Sequence, residues 1–181
     1  MSDERMPYQI IAEMAAARSS RTDDEILAEL AALPPLADET DPCWASEDYW
    51  HRAAYPYLAL VDVTATRRLR PAIKLLLDRA CYGDPGEIMR GLRHGLEAIV
   101  APDWPSLADI CLDAARSTRL GTRLWALAEL PVLEDPRAKP IFDEAVKNGP
   151  KEIRWRAEIG LKRLAKGESD LSKGCTSPGP P

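Results

Sequence analysis

One helical pattern, preceded by proline each time, occurs twice in the sequence and limits the folds open to the chain. In "EDPRAKPIFDEAV" (134–146), two prolines lead straight into apolar residues at helical spacing. A proline inside a helix removes a hydrogen bond and clashes with the preceding turn. Pro140 therefore predicts a 3₁₀-like lead-in and a regular helix that starts near Lys139. Pro71 stands 69 residues earlier in a similar setting, which predicts a helix start near Arg70.

The shift of 69 residues aligns whole helix pairs. Apolar residues then fall on apolar residues in both helices: Leu58 on Leu127, Val61 on Leu130, Ile73 on Phe142 and Leu77 on Val146. The same helical spacing predicts the other helices, over 10–17, 22–33, 86–100, 106–115 and 151–166. Helix pairs at intervals of roughly 30–40 residues indicate a repeat architecture. The sequence therefore predicts an all-α fold.

The segment 134–165 resembles HEAT repeats. The residues that carry the resemblance lie at the start of the second helix of one pair and in the first helix of the next pair: Asp135, Arg137, Ala138, Pro140, Arg154, Ala157, Leu161 and Leu164. The resemblance extends over 47–166 and implies a right-handed α-solenoid of about three HEAT-like helix pairs plus a terminal helix. Residues 1–46 would form an acidic N-terminal helical cap. The segment 167–181 is rich in Pro, Gly and Ser, which predicts a disordered tail.

Charge is divided unevenly along the chain. Residues 1–48 hold 12 acids and 3 bases, a net charge of −9. Residues 49–181 hold 17 acids and 21 bases, a net charge of +4. The acidic head (residues 1–48) and the basic remainder could attract each other, or one of them could serve a partner. The pattern leaves both alternatives open.

The bases gather in two clusters. The first basic cluster is Arg67, Arg68, Arg70, Lys74 and Arg79, and the second is Arg116, Arg119 and Arg123. Such clusters could follow a phosphate backbone, and the resemblance includes DNA glycosylases with HEAT-like folds. The pI of about 5.2 argues against nucleic acid as the partner. In the alternative interpretation, these side chains cap helix ends and pair with neighbouring acids across repeats.

The sequence contains no motif that assigns a reaction, a cofactor or a metal. Neither His51 nor His94 has a Glu directly beside it or a second His four residues further on, and the glycine-rich phosphate motifs are missing. We therefore predict no cofactor and favour a protein that is not an enzyme. No apolar run reaches the about 18 residues of a membrane span, and the N-terminus does not resemble a secretory signal. These features predict a cytoplasmic protein with no membrane partner.

The candidate partner-binding residues lie on the second helix of each pair. In HEAT repeats these second helices line the concave face. We expect their polar positions to face outward as a ladder of mixed charge: Arg70, Lys74, Asp78, Asp109, Asp113, Lys139, Asp143 and Lys147. Trp44 and Trp104 lie in predicted loops and are candidate anchors for a partner. Trp125 and Trp155 are expected in the core.

These features favour a non-catalytic adaptor or scaffold that binds another protein through a HEAT-like concave surface. One alternative is an immunity protein that neutralises a bacterial toxin domain, with Asp23, Asp24 and Glu25 of the acidic head in contact with the toxin. The other alternative is a HEAT-like enzyme that acts on nucleic acid, as a DNA glycosylase does. The identity of the partner and the oligomeric state stay open.

Overall fold

A computed structural model describes residues 6–37, 41–81, 87–103 and 105–173. Within these ranges the chain folds into helices and contains no strand. The prediction of an all-α protein is therefore confirmed. The chain divides into two compact units, with the boundary after Leu107.

The first unit contains one long helical segment with a local change of pitch. Its helices are α1 (Pro7–Ala16), α2 (Asp23–Ala32), α3 (Glu47–Tyr49), α4 (Tyr55–Thr66), α5 (Ala72–Leu77) and α6 (Glu87–Val100). A π-helical turn, Trp50–Ala54, joins α3 to α4, and the N–H of Tyr55 bonds to the carbonyl of Trp50. Pro56 explains this turn, because it has no N–H to donate and its ring would clash with the carbonyl four residues before it.

Helix α4 is the centre of the first unit. Tyr57, Ala59 and Leu60 are fully buried on different sides of this helix, and α1, α2 and α6 all pack against it. The buried Tyr57 hydroxyl donates to the carbonyl of Leu76 at 3.1 Å, which fixes the end of α5 against α4. A helix that is apolar all round needs neighbours on most of its sides, and α4 has them.

The second unit is a cluster of helices around α10. Helix α7 (Pro105–Ala114) contains the boundary, and α8 (Leu120–Glu129), α9 (Ala138–Asn148) and α10 (Lys151–Lys173) follow it. A 3₁₀ turn, Leu130–Val132, extends α8, and α10 packs against both α8 and α9. The fully buried side chains of Trp125 and Phe142 lie in this core. The expectation that Trp125 is a core residue is confirmed.

Both prolines stand at the start of a helix, as the repeat pattern predicts. The N–H groups of Ala138 and Lys139 bond to carbonyls three residues earlier, which is 3₁₀ geometry, and Pro140 is the third residue of α9. There its missing N–H removes no helical bond. The N–H of Ala72 makes the same kind of bond just after Pro71, and α5 begins at Ala72. The predicted lead-in before Pro140 is confirmed. At Pro71 the 3₁₀-type bonds are made by the residues after the proline, and α5 starts at Ala72, two residues later than expected.

Three sequence expectations need correction. Trp155 is 54% exposed and is not a core residue. Helix α10 continues to Lys173, so the predicted tail (167–181) begins inside a helix, and residues 174–181 lie outside the described part of the chain. Ile73 is only half-buried, whereas Phe142 is fully buried, so the 69-residue register does not preserve burial at this pair.

Candidate functional site

An open groove of about 780 Å³ crosses the surface of the first unit. Helix α4 forms its floor, and α1 and α6, which both pack against α4, form its walls. The lining is mainly apolar and includes Ile11, Leu58, Val61 and Ala98. The groove is a concave apolar surface of the kind that binds ligands and helical segments.

Two glycines on α6 bring this wall close to the floor. A Cβ atom at Gly91 would lie 2.7 Å from Cδ2 of Leu58, and a Cβ atom at Gly95 would overlap the side chain of Val61. Glycine in a helix costs about 1 kcal/mol relative to alanine. Two glycines four residues apart are therefore explained by the close contact between α4 and α6 that they allow.

The N-terminal edge of the groove exposes large apolar side chains. Met6 is 55% exposed and Tyr8 is 66% exposed, and both line the groove. Pro7 is the first residue of α1, where its fixed backbone angle favours the helix and no N–H is needed. The main-chain N–H of Met6 donates to Oε1 of Gln9 at 2.9 Å, which fixes this end of the helix.

Ionisable side chains stand at the sides of the groove. Asp62 lies on α4, while Arg90 and His94 lie on α6, and all three are exposed. Nδ1 of His94 lies 3.2 Å from a carboxylate oxygen of Glu97. Burial raises the pKa of Glu97, but hydrogen bonds from Arg93 and His94 outweigh this effect and hold the pKa below its usual range. Glu97 is therefore a fixed negative charge that orients His94.

The groove has the length of a short helical contact. Its lining positions run from Leu58 to Thr66 on α4 and from Arg90 to Ala98 on α6. At 1.5 Å of rise per residue, each of these two stretches is about 12 Å long. This is the span of about two helical turns, which places two or three apolar side chains of a partner helix against the floor.

The predicted ladder residues in the first unit take part in local ion pairs. Nζ of Lys74 lies 2.5 Å from Oδ2 of Asp78, one turn along the helix. Arg70 pairs with Asp103 across 3.6 Å. A hydrogen bond from Ser106 and the pairing with Arg70 lower the pKa of Asp103. Arg70 and Lys74 are exposed and Asp78 is partly buried, and their role in partner binding stays a prediction.

The predicted ladder residues in the second unit are all exposed: Asp109, Asp113, Lys139, Asp143 and Lys147. Lys139 pairs with Asp143 at 2.9 Å, and Asp109 accepts a hydrogen bond from Arg137 at 2.7 Å. Arg137 also bonds to Asp135, which in turn accepts the main-chain N–H of Arg137 at 2.8 Å. The Asp-x-Arg part of the HEAT-like motif therefore builds the turn that leads into α9.

Trp44 lies in an aromatic cluster of its own unit. Its Nε1 donates to the carbonyl of Ala37 at 2.8 Å, and its ring meets that of Trp50 edge-on at 5.2 Å. Trp50 in turn donates to the carbonyl of Trp44 at 3.0 Å. These contacts hold Trp44 against the start of the long helix. Trp104, the other candidate anchor, lies outside the described residues.

The first basic cluster holds the first unit together. Arg67 donates to the carbonyl of Ser19 at 3.0 Å and to Asp23 at 2.7 Å. Arg79 donates to the carbonyls of Ala31 and Leu33, which are the last acceptors of α2. The interpretation is confirmed in part, because Arg79 caps the end of α2 and Arg67 pairs with the acid Asp23. Asp23 of the acidic head is bound within the same chain.

The groove residues were missed by reasoning from the sequence. The one signal in the sequence is Gly91 and Gly95, one turn apart on α6, which predict a close neighbour of this helix but do not identify it. Among the described residues, no three His, Cys, Asp or Glu side chains come together as a metal site. None of the helices in the described ranges has both the length and the apolar character to cross a membrane.

Comparison with known proteins gives no relative for the chain. No protein-family model matches the sequence, and neither a curated protein nor a solved structure matches it.

Proposed function

We propose that the protein is a non-catalytic adaptor that binds another protein through the groove over α4. The observation that carries this proposal is the apolar groove of about 780 Å³ whose edge exposes Met6 and Tyr8. Large exposed apolar side chains beside an apolar concavity are typical of a protein contact. The partner we propose is an amphipathic helix whose apolar face lies in the groove.

The chemistry of the groove supports a helical segment. Its floor is apolar at Leu58 and Val61, whereas Asp62, Arg90 and His94 offer polar groups beside it. An apolar floor with polar sides fits a helix that carries an apolar stripe between polar flanks. Tyr8 adds an aromatic ring at the end of the groove, and aromatic residues are frequent hot spots in interfaces.

We further propose that the helix pairs are HEAT-like units of an α-solenoid. Two observations support this idea. Both repeat prolines stand next to a 3₁₀-like turn at the start of a helix. The aligned first-helix residues are also buried alike, Leu58 with Leu127 and Val61 with Leu130. The proposed binding face differs from the polar ladder, and a cytoplasmic location stays part of the proposal.

The test uses one substitution at two places in the first unit. Ala98 is exposed and lines the groove, whereas Ala28 is exposed on α2 away from it. Immobilised full-length protein, with Ala98→Arg and Ala28→Arg as variants, would be used to capture partners from the source cell. Captured proteins would be identified by mass spectrometry, purified and titrated against all three forms.

We expect wild type and Ala28→Arg to bind the partner equally and Ala98→Arg to bind at least tenfold more weakly. The reason is that an arginine on the α6 wall must lose its hydration or exclude the partner helix. Equal binding by all three forms, or no purified protein that binds wild type, would refute the proposal.

A further inference from the structure

A second pocket, of about 490 Å³, lies within the second unit and includes two arginines of the second basic cluster. Arg116 follows α7, and Arg123 lies in the first turn of α8. Glu144 and Asn148 of α9 complete its polar lining. The groove over α4 shares no residue with this pocket.

Arg123 is the residue that points to a ligand. Its Nε atom is buried, and nothing in the described part of the chain accepts the hydrogen of that atom. Native proteins provide an acceptor for nearly all buried donors, from the chain itself, from water or from a ligand. Arg123 also lines the pocket, which makes a molecule bound there our candidate for the missing acceptor.

The charges of the pocket favour a ligand with a single negative charge. Arg116 and Arg123 bring two positive charges and Glu144 brings one negative charge. Glu144 accepts a hydrogen bond from Nδ2 of Asn148 at 2.6 Å, and Arg116 donates to the carbonyl of Leu112 at 3.1 Å. A dianion such as phosphate would meet the Glu144 carboxylate, whereas a carboxylate leaves the charges nearly balanced.

The shape of the donors and walls agrees with this choice. The Nε–H and Nη–H groups on one edge of a guanidinium form two parallel hydrogen bonds to a carboxylate. Pro140, Ile141 and Ala145 give the pocket apolar walls. We infer that this pocket binds a small carboxylic acid, with its carboxylate on Arg123 and its apolar body against α9.

The probe we choose is sodium isovalerate, which joins a carboxylate to a small branched apolar group. The full-length protein would be titrated at constant ionic strength, with sodium chloride as the balancing salt, and the arginine Nε–Hε resonances followed by NMR. We expect a saturable shift of the Arg123 resonance. Isovaleramide, which has the same shape without the charge, should leave this resonance in place.

Matched variants assign the binding to Arg123. Arg123→Lys keeps the charge but loses the paired donors, and we expect about tenfold weaker binding, as measured on neighbouring amide resonances. Arg154→Lys changes an exposed arginine outside the pocket and should bind as wild type does. Arg116→Lys serves as a second pocket variant if Arg123→Lys does not fold, and it should also weaken binding. A shift that does not saturate, equal shifts with isovaleramide, or pocket variants that bind as tightly as wild type would overturn the inference.

Discussion

The contact between α4 and α6 can be tested by adding one methyl group at Gly95. A Cβ atom there overlaps Cγ1 of Val61, and the next nearest atoms are Cβ and the main-chain oxygen of Val61, both at 3.7 Å. Valine on a helix has one strongly preferred rotamer. The side chain therefore cannot turn away, and the two helices must separate to make room.

The expected magnitude follows from two opposing terms. Replacing a helical glycine by alanine gains about 1 kcal/mol of helix propensity. Forcing an extra methyl group into a packed contact costs about 1–3 kcal/mol, and the stiffness of Val61 places Gly95 in the upper part of that range. We expect Gly95→Ala to lower the free energy of unfolding by about 1–2 kcal/mol.

Two variants on the same helix provide the controls. At Gly91 the added methyl group meets only Cδ2 of Leu58, at 2.7 Å. Leu58 can move this end of its side chain, so the contact costs about 1 kcal/mol, the low end of the range. This cost offsets the propensity gain of about 1 kcal/mol, and Gly91→Ala should change stability by less than about 0.5 kcal/mol. Ala98→Gly, at an exposed position, measures the propensity term alone and should cost about 1 kcal/mol.

The assay is native-state hydrogen exchange on the amides of α4 and α6, because the chain has two compact units and a single global transition is not assured. A gain of about 1 kcal/mol for Gly95→Ala would mirror Ala98→Gly and show that no close contact exists. Equal decreases in the free energy of unfolding for Gly91→Ala and Gly95→Ala would refute the idea that Leu58 can move aside and Val61 cannot.

Three further changes test other contacts. Gly160→Ala should cost about 1–2 kcal/mol in the exchange of α10, because the added Cβ atom would lie 2.6 Å from Cζ of the buried Phe142 ring. Asp135→Asn should destabilise the protein at pH 7. Urea titrations should show that this destabilisation disappears below about pH 4. The hydrogen bond from Arg137 lowers the folded-state pKa of Asp135, so its contribution is present above the unfolded pKa and is lost as the pH falls through the folded one. Arg79→Met should cost about 1–3 kcal/mol in the exchange of α2, because it leaves the last carbonyls of that helix without their donor.

Local chemistry explains which parts of the fold could be predicted from the sequence. The start of α2 was predictable because Thr22 and Glu25 form reciprocal hydrogen bonds, at 3.3 Å and 2.7 Å, from residues three apart in the sequence. Trp155 was expected in the core because a solenoid helix needs two apolar faces, one for its pair-mate and one for the next layer. Yet it lies two residues after the buried Ile153, about 200° around the helix. A helical-wheel argument would have placed it outside.

The groove could not be predicted, because it depends on which helices meet. Nothing in the pattern of α1 shows that it packs on α4, and the exposure of Tyr8 becomes informative only beside the groove. The two glycines of α6 predict a close neighbour but do not identify it. Contacts between distant parts of the chain therefore decide the site.

Exposed charge is weak evidence about function, and the reason is physical. Long charged side chains mostly find partners within their own chain, as Arg67 does with Asp23 and Lys139 does with Asp143. Exposed ion pairs of this kind add about 0–1 kcal/mol and indicate little about binding. A buried donor that has lost its water without gaining an acceptor is more informative, because the free-energy cost of its burial persists until an acceptor binds. By that criterion the buried Nε of Arg123 is a better guide to a ligand than any of the exposed charges in the predicted ladder.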